Sequence, residues 1–223
     1  MKVGLVYTST TPELIELVEK EIKSQLGDEA ELMSYEDPTV LSDAREAGYV
    51  TPKAAAKLIS LYMDAVKDDA DAIINLCSSV GEVADASMDI SKYIGVPIVR
   101  VDEEMCREAV RVGKKIAVMA TLPTTLEPTK NTVLRVAREM GKKVELVDAL
   151  VEGAFGLNQS EFKELMAKKA NEVAGEVDVI LFAQGSMAYC EGYISDLCKK
   201  TVLSSPRFGA IALKTALMSK GTI

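Results

Sequence analysis

Short apolar runs along this chain alternate with longer stretches in which apolar residues recur every three or four positions. The short runs, at about 2–7, 31–35, 71–77, 97–101, 115–120, 143–147, 178–183 and 201–204, read as strands. The longer stretches read as helices. After the first strand, Leu14, Ile15, Leu17, Val18, Ile22 and Leu26 fall on one helical face, with Thr10 or Thr11 as N-cap and Pro12 in the first turn. Further helices are expected over 53–66, 81–93, 103–112, 126–140, 159–174, 187–199 and 208–219. Residues 38–48 read as an irregular or weakly helical surface segment, and 153–158 as a glycine-containing loop. Strand and helix alternate throughout, which predicts an α/β protein with mostly parallel sheets covered by helices on both faces.

The two halves repeat. Val3-Gly4-Leu5-Val6-Tyr7-Thr8 lines up with Ile116-Ala117-Val118-Met119-Ala120-Thr121, and both lead into a hydroxyl-rich turn containing proline. Asp71-Ala72-Ile73-Ile74-Asn75-Leu76-Cys77 lines up with Asp178-Val179-Ile180-Leu181-Phe182-Ala183-Gln184. Two pseudo-symmetric, doubly wound parallel-sheet units follow, with a cleft expected between them. The first comprises 1–100 with 206–223 and carries Cys77; the second comprises 101–205 and carries Thr121 and Gln184.

The chain has 223 residues, 48% of them hydrophobic and 27% charged, which places it among globular proteins. A net charge of −8 argues against a nucleic-acid partner or an anionic membrane. No apolar run reaches the ~18 residues of a membrane span, and the first residues carry no signal-peptide pattern, so a cytoplasmic protein is expected. Four cysteines lie far apart, without the spacing of a zinc site or a disulfide framework. There is no histidine, which removes Ser-His-Asp and Cys-His catalysis and most transition-metal sites. Acid–base chemistry is left to Cys, Asp, Glu, Lys or Tyr.

Cys77 is the residue on which such chemistry centres. Open α/β sheets bind ligands at the carboxyl ends of their strands, and the strand 71–77 delivers a thiol there. Ser78-Ser79-Val80-Gly81 follows and starts a helix, whose N–H groups suit an anion and lower a thiol pKa. Asn75 shares the thiol's side of the strand and offers another hydrogen bond, either to a ligand or to a neighbouring strand end. A buried strand-end cysteine with no chemistry is the plainer alternative.

These residues resemble the aspartate/glutamate/hydantoin racemase superfamily, which also contains maleate isomerases and arylmalonate decarboxylases. The likeness covers nearly the whole chain. It rests on Leu76-Cys77-Ser78-Ser79 at the first-cysteine position, Ala120-Thr121-Leu122-Pro123-Thr124 at the Ala-Thr-x-x-Thr turn, and Leu181-Phe182-Ala183-Gln184-Gly185-Ser186 at the second-cysteine position. The resemblance implies catalysis without cofactor or metal, in which two facing cysteines move a proton at the carbon α to a carboxylate. It implies Cys77 as the first catalytic cysteine and a dimer or higher homo-oligomer. It implies further that Thr8, Ser9, Thr121 and Thr124 hold a small carboxylate substrate, with Asn75, Ser78, Ser79, Gln184, Gly185 and Ser186 lining the same site. The sequence departs from the pattern at Gln184, which stands where the second cysteine is expected and cannot carry a proton to carbon. Cys190, six residues on, is a second thiol that could replace it or simply fill a helix core.

Three functions are compatible with this pattern. The first is a cofactor-independent racemase or epimerase of a small amino-acid-like or dicarboxylate substrate, with Cys77 as acid–base. The second is a decarboxylase-type lyase using a single cysteine. The third is a protein that binds a small carboxylate without turning it over.

Overall fold

The short apolar runs become eight parallel strands in the computed structural model, which describes residues 1–223. One compact unit comprises Met1–Val101 with Pro206–Ile223, and the other comprises Asp102–Ser205.

In the first unit the strands are β1 (Lys2–Tyr7), β2 (Glu31–Glu36), β3 (Ala72–Asn75) and β4 (Ile98–Arg100), in the order β2-β1-β3-β4. The inner strands β1 and β3 are almost wholly buried, as strands covered on both faces must be, whereas edge strand β2 alternates with solvent. Helices α1 (Pro12–Leu26) and α10 (Ser205–Lys220) supply Leu14, Val18, Ile22, Ala210, Leu213 and Leu217 to one core layer. On the other side α2 (Pro38–Ala47) and α3 (Pro52–Lys67) pack Val40, Ala54, Leu58 and Tyr62 beside Val6, Ile73 and Ile98.

The second unit repeats the plan. Its strands β5 (Lys115–Ala120), β6 (Glu145–Leu150), β7 (Val179–Phe182) and β8 (Thr201–Leu203) run in the order β6-β5-β7-β8. Helix α8 (Gln159–Ala174) and α9 (Glu191–Cys198) build one core layer with Phe162, Met166, Ala170 and Ile194. Helices α6 (Glu103–Val112) and α7 (Pro123–Glu139) pack together and are laced by a shared ion network. Glu103 pairs with Arg107 at 2.7 Å and with Arg135 at 2.8 Å, and Glu139 pairs with Arg135 at 2.8 Å. Burial alone would raise the Glu103 pKa, but the two guanidiniums outweigh it and hold the carboxyl below its usual range.

The repeat extends to individual hydrogen bonds. Val3 pairs with Ala72 and Ile116 with Val179, so the two sheets share the register that the sequence alignment predicts. A carboxylate fixes that register in each unit. Asp71 accepts from the Lys2 N–H at 2.8 Å, and Asp178 accepts from the Lys115 N–H at 2.9 Å. In return the Asp71 and Asp178 N–H groups donate to the carbonyls of Lys2 and Lys115. Each aspartate therefore closes a two-bond ring with its neighbouring strand and starts that strand in one register only. At the far ends, the Leu76 N–H donates to Val6 and the Ala183 N–H to Met119, which makes Cys77 and Gln184 equivalent in the two sheets.

Several elements differ from the sequence-based expectation. Residues 38–48 form a regular helix: Asp37 caps it through the Thr39 N–H, Pro38 occupies its first turn, and Gly48 ends it in the left-handed region. The expected helix over 81–93 is a 3-10 turn, Ser78–Val80, followed by α4 (Gly81–Ala86) and α5 (Met88–Ile94). The break falls at Ser87, whose hydroxyl bonds back to the Val83 carbonyl at 2.7 Å and competes with the helical ladder. Likewise 187–199 divides into a 3-10 stretch, Gly185–Cys190, and α9. The sixth strand begins later than 143 because the Lys142 N–H still bonds the Ala137 carbonyl that closes α7. No helix is long and apolar enough to cross a membrane.

The return of α10 onto the first sheet depends on Gly209. A Cβ there would lie 3.0 Å from the Val101 Cα and 2.8 Å from its Cγ2. Alanine would gain about 1 kcal/mol of helix propensity. Against backbone that cannot yield, overpacking costs roughly 1–3 kcal/mol. Gly209→Ala is therefore expected to lower the urea midpoint; an unchanged or raised midpoint would show that α10 has room to move outward.

Candidate active site

Unpartnered polar atoms gather at the carboxyl ends of β1 and β3. Thr8, Asn75 and Ser78 are each at least nine-tenths buried, and Thr8 Oγ1, Asn75 Oδ1 and Ser78 Oγ make no hydrogen bond within the protein. Folded proteins leave few such atoms, because each costs about 1–3 kcal/mol of desolvation. Three within one pair of strand ends mark a place built for something other than stability.

The Cys77 thiol is half-buried at this place. Its sulfur faces the Ser79 N–H and hydroxyl, the Val80 N–H and the Thr8 hydroxyl, all of which favour the thiolate. Desolvation opposes them and is the largest influence, so the thiol pKa lies above its ordinary value. This corrects the expectation that a helix start would lower it. The reason is structural: a 3-10 turn of three residues and the six-residue α4 supply little macrodipole, leaving only individually aimed donors to offset burial. Asn75 also differs from expectation. Its Nδ2 donates to the Cys77 carbonyl at 3.0 Å, so the amide braces the turn and leaves only an acceptor unpartnered.

Ser9, by contrast, is exposed, and Thr10 donates to Glu36 at 2.9 Å. Thr11, rather than Thr10, caps α1.

The second unit carries a different device at the equivalent strand ends. Gln184 Oε1 accepts from the Thr121 N–H at 2.7 Å and from its hydroxyl at 2.9 Å. An N–H can only donate, so the amide oxygen must face Thr121 and the Nε2 hydrogens must point away from it. Both Thr121 donors expected to hold a substrate carboxylate are thus engaged inside the unit. The Thr124 hydroxyl, in the first turn of α7, has no partner, and the helix has no side-chain N-cap. Gly185 and Ser186 open the 3-10 stretch, with Ser186 exposed. Cys190 is fully buried among Phe162, Met166 and Ile194, and burial raises its pKa. Of the two alternatives for Cys190, the packing matches the one in which it fills the core.

Sequence reasoning missed Arg100, which is 6% exposed at the end of β4 and pairs with Asp85 at 2.6 Å. The signal was a lone charge between Val99 and Val101 in an otherwise apolar strand.

Two four-stranded parallel α/β units thus repeat one strand plan, with a thiol at a strand end of one and a clamped amide at the equivalent strand end of the other. The family model for Asp/Glu/hydantoin racemase matches residues 3–213, and the chain belongs to that family. No curated protein matches it by sequence. Among solved structures it is similar to a glutamate racemase from Thermus thermophilus in complex with β-chloro-D-alanine, at 16% identity and a TM-score of 0.70 over 100% of this chain and 82% of that one. It is also similar to an allantoin racemase from Klebsiella pneumoniae, at 14% identity and a TM-score of 0.67 over 99% and 89%. An aspartate racemase from Picrophilus torridus aligns at 14% identity with a TM-score of 0.65, over 99% and 94%. At these identities the likeness is one of fold.

Two outcomes test the site's electrostatics. Peptide-resolved alkylation of Cys77 is expected to show a midpoint above the ~8.5 of a free thiol, and Thr8→Val to raise it further. A midpoint at or below the ordinary value would contradict the balance described. Gln184→Leu leaves the Thr121 N–H and hydroxyl without an acceptor and is expected to cost about 1–3 kcal/mol in urea unfolding; an unchanged stability would mean that water replaces the amide.

Proposed function

We propose that the protein is a cofactor-independent isomerase that transfers a proton at the carbon α to a carboxylate in a small amino-acid-like or dicarboxylate substrate. Cys77 is its acid–base group. The observation that carries this reading is the half-buried Cys77 sulfur faced by donors from Ser79 and Val80, beside the three orphaned polar atoms of Thr8, Asn75 and Ser78. Membership of the racemase family supports it. In the reaction the thiolate takes the α-proton and becomes a thiol, and the Cα–H electron pair passes into an enediolate. The thiol returns the proton to the same face, or water protonates the opposite face while the thiol gives its proton to the resulting hydroxide, and either route restores the carboxylate and the thiolate. Directed N–H and hydroxyl donors suit such a step, because they hold charge without reorganising.

A second reading, a decarboxylase-type lyase, is favoured by Gln184 and by the raised Cys77 pKa. A resting thiol is ready to donate. The Cα–carboxylate bond breaks, carbon dioxide leaves, and its electron pair enters the enediolate of the remaining carboxylate. Cys77 then protonates Cα and recovers its proton from water. The family likeness weighs toward isomerisation, so the lyase stands second.

The two readings predict opposite pH dependences. A base must be ionised, so isomerase kcat/KM rises with pH through the Cys77 pKa. An acid must be protonated, so lyase kcat/KM falls through the same pKa. We expect α-proton exchange in deuterated water with amino acids or dicarboxylates, rising with pH and abolished by Cys77→Ala. Carbon dioxide release from substituted malonates, falling with pH, would replace the first reading by the second. Neither activity on a broad panel, together with carboxylates that raise the melting temperature, would favour binding alone.

A further inference from the structure

We propose that Asn75 is a specificity-determining residue: its side-chain oxygen selects substrates that carry a hydrogen-bond donor, an amino or hydroxyl group, on the reacting carbon, and disfavours plain dicarboxylates. This rests on the reading of Cys77 as the acid–base group and narrows the substrate class that the reading leaves open.

One bond fixes the orientation of the amide. Asn75 donates to the Cys77 carbonyl at 3.0 Å. A carbonyl only accepts, so Nδ2 faces Cys77 and Oδ1 is the other end. The two ends of a carboxamide lie about 2.2 Å apart, which keeps Oδ1 within about 5 Å of the Cys77 carbonyl oxygen. Ile73 and Cys77 belong to the layer under α2 and α3, whereas Leu76 packs in the opposite one. Alternation along the strand therefore puts the Asn75 side chain on the side of Cys77. The residue is 1% exposed, and Oδ1 has no hydrogen-bond partner. Arg100 is the register partner of Asn75 on β4, yet its guanidinium turns to Asp85 at 2.6 Å and Oδ1 stays unpartnered. Bracing the turn accounts for Nδ2 and gives Oδ1 no structural use.

The orphaned atoms at this strand end differ in what they can bind. Thr8 and Ser78 end in hydroxyls, which donate or accept, so either can hold a carboxylate. Asn75 Oδ1 only accepts. An ionised carboxylate also only accepts, and two such oxygens repel. A substrate whose polar groups are all carboxylates satisfies the hydroxyls and leaves Oδ1 buried without a partner. An amino or hydroxyl group satisfies it. Because Oδ1 is held beside the Cys77 backbone, the matching donor belongs next to the carbon on which Cys77 acts, and the α-substituent meets that condition. A site with a buried polar atom rejects an analogue lacking the matching group far more strongly than an apolar pocket rejects a missing methylene.

Isothermal titration calorimetry and α-proton exchange on the full chain test this with matched acids. Each series keeps the carboxylate and side chain and varies only the α-substituent: alanine, lactate and isobutyrate; aspartate, malate and methylsuccinate; glutamate, 2-hydroxyglutarate and 2-methylglutarate, in both hands where there are two. In the series that bind, the amino or hydroxy member is expected to bind about tenfold to a hundredfold tighter than the methyl member. Equal binding of the methyl member, or no binding in any series, would overturn the proposal. Asn75→Leu keeps the bulk and removes the acceptor, and should bring that ratio close to one. A role confined to bracing the turn would weaken all members alike and leave the ratio unchanged, which also overturns it. Asn75→Asp keeps an acceptor and charges it, so the preference for the amino over the hydroxy member should rise. If Asn75→Leu does not fold by circular dichroism, Asn75→Asp decides, and a preference that fails to rise sinks the proposal. The wild-type comparison needs no variant. Binding is read without turnover: a preference with no α-proton exchange refutes the reaction and leaves this inference intact, whereas exchange with no preference does the reverse.

Discussion

Burial of one sulfur atom sets the terms for this protein. Desolvation favours the neutral thiol, and four groups aimed at Cys77 favour the thiolate. Neither influence is incidental to the fold. A parallel sheet covered on both faces can place a polar group at its centre only where strands end, and there the backbone donors must come from the turn that follows. The short 3-10 start of Ser78–Val80 aims N–H groups one by one, where a long helix would add a macrodipole. Ionisation of the Cys77 thiol is therefore favoured by locally aimed hydrogen-bond donors.

The fixed positions of those groups come from the aspartates at the opposite ends of the same strands. Asp71 and Asp178 each lock the first residue of β1 or β5 into a single register. A slip of one residue would turn every buried side chain of β3 or β7 to the other face and carry Cys77 or Gln184 with it. Strand starts thus determine strand ends. Backbone N–H groups hold the Asp178 carboxyl below its usual range. Its folded pKa is depressed, so its contribution to stability is present above the unfolded carboxylate pKa and is lost as pH falls through the folded value.

Much of this was legible in the sequence, and the limits have physical causes. Parallel strands buried on both faces are continuous apolar runs, so 3–7, 116–120 and 179–183 announced themselves. The matching Asp-to-Cys77 and Asp-to-Gln184 spacings gave the repeat and its register. Helix α2 was hidden because its apolar face is narrow, although Asp37, Pro38 and Gly48 were readable caps. The break at Ser87 was hidden because a serine back-bond looks like any other helical serine. At the site, composition identified the thiol and its hydroxyl neighbours, but not which donors were already engaged. That Thr121 is occupied by Gln184, and that Asn75 braces its own turn, are facts of side-chain direction. Arg100 needed a tertiary fact too: its partner Asp85 lies on another element.

Gln184 shows how far the two halves have diverged under one backbone plan. Its position in the second sheet is that of Cys77 in the first, fixed by the equivalent bonds Ala183 to Met119 and Leu76 to Val6. At Cys77 the side chain can titrate, and the Thr8 hydroxyl, which has no hydrogen-bond partner, faces it. At Gln184 the side chain cannot titrate, and a neighbouring threonine donates to it through both its N–H and its hydroxyl. A threonine hydroxyl thus stands beside the strand-end side chain in both halves, and the group it meets differs. A neutral carboxamide satisfies Thr121 permanently and turns two N–H donors the other way, whereas a sulfur satisfies Thr8 best only when charged. In the strand-end chemistry of this chain the capacity to change protonation state is thus concentrated in one unit, and the other has become a fixed hydrogen-bonding surface.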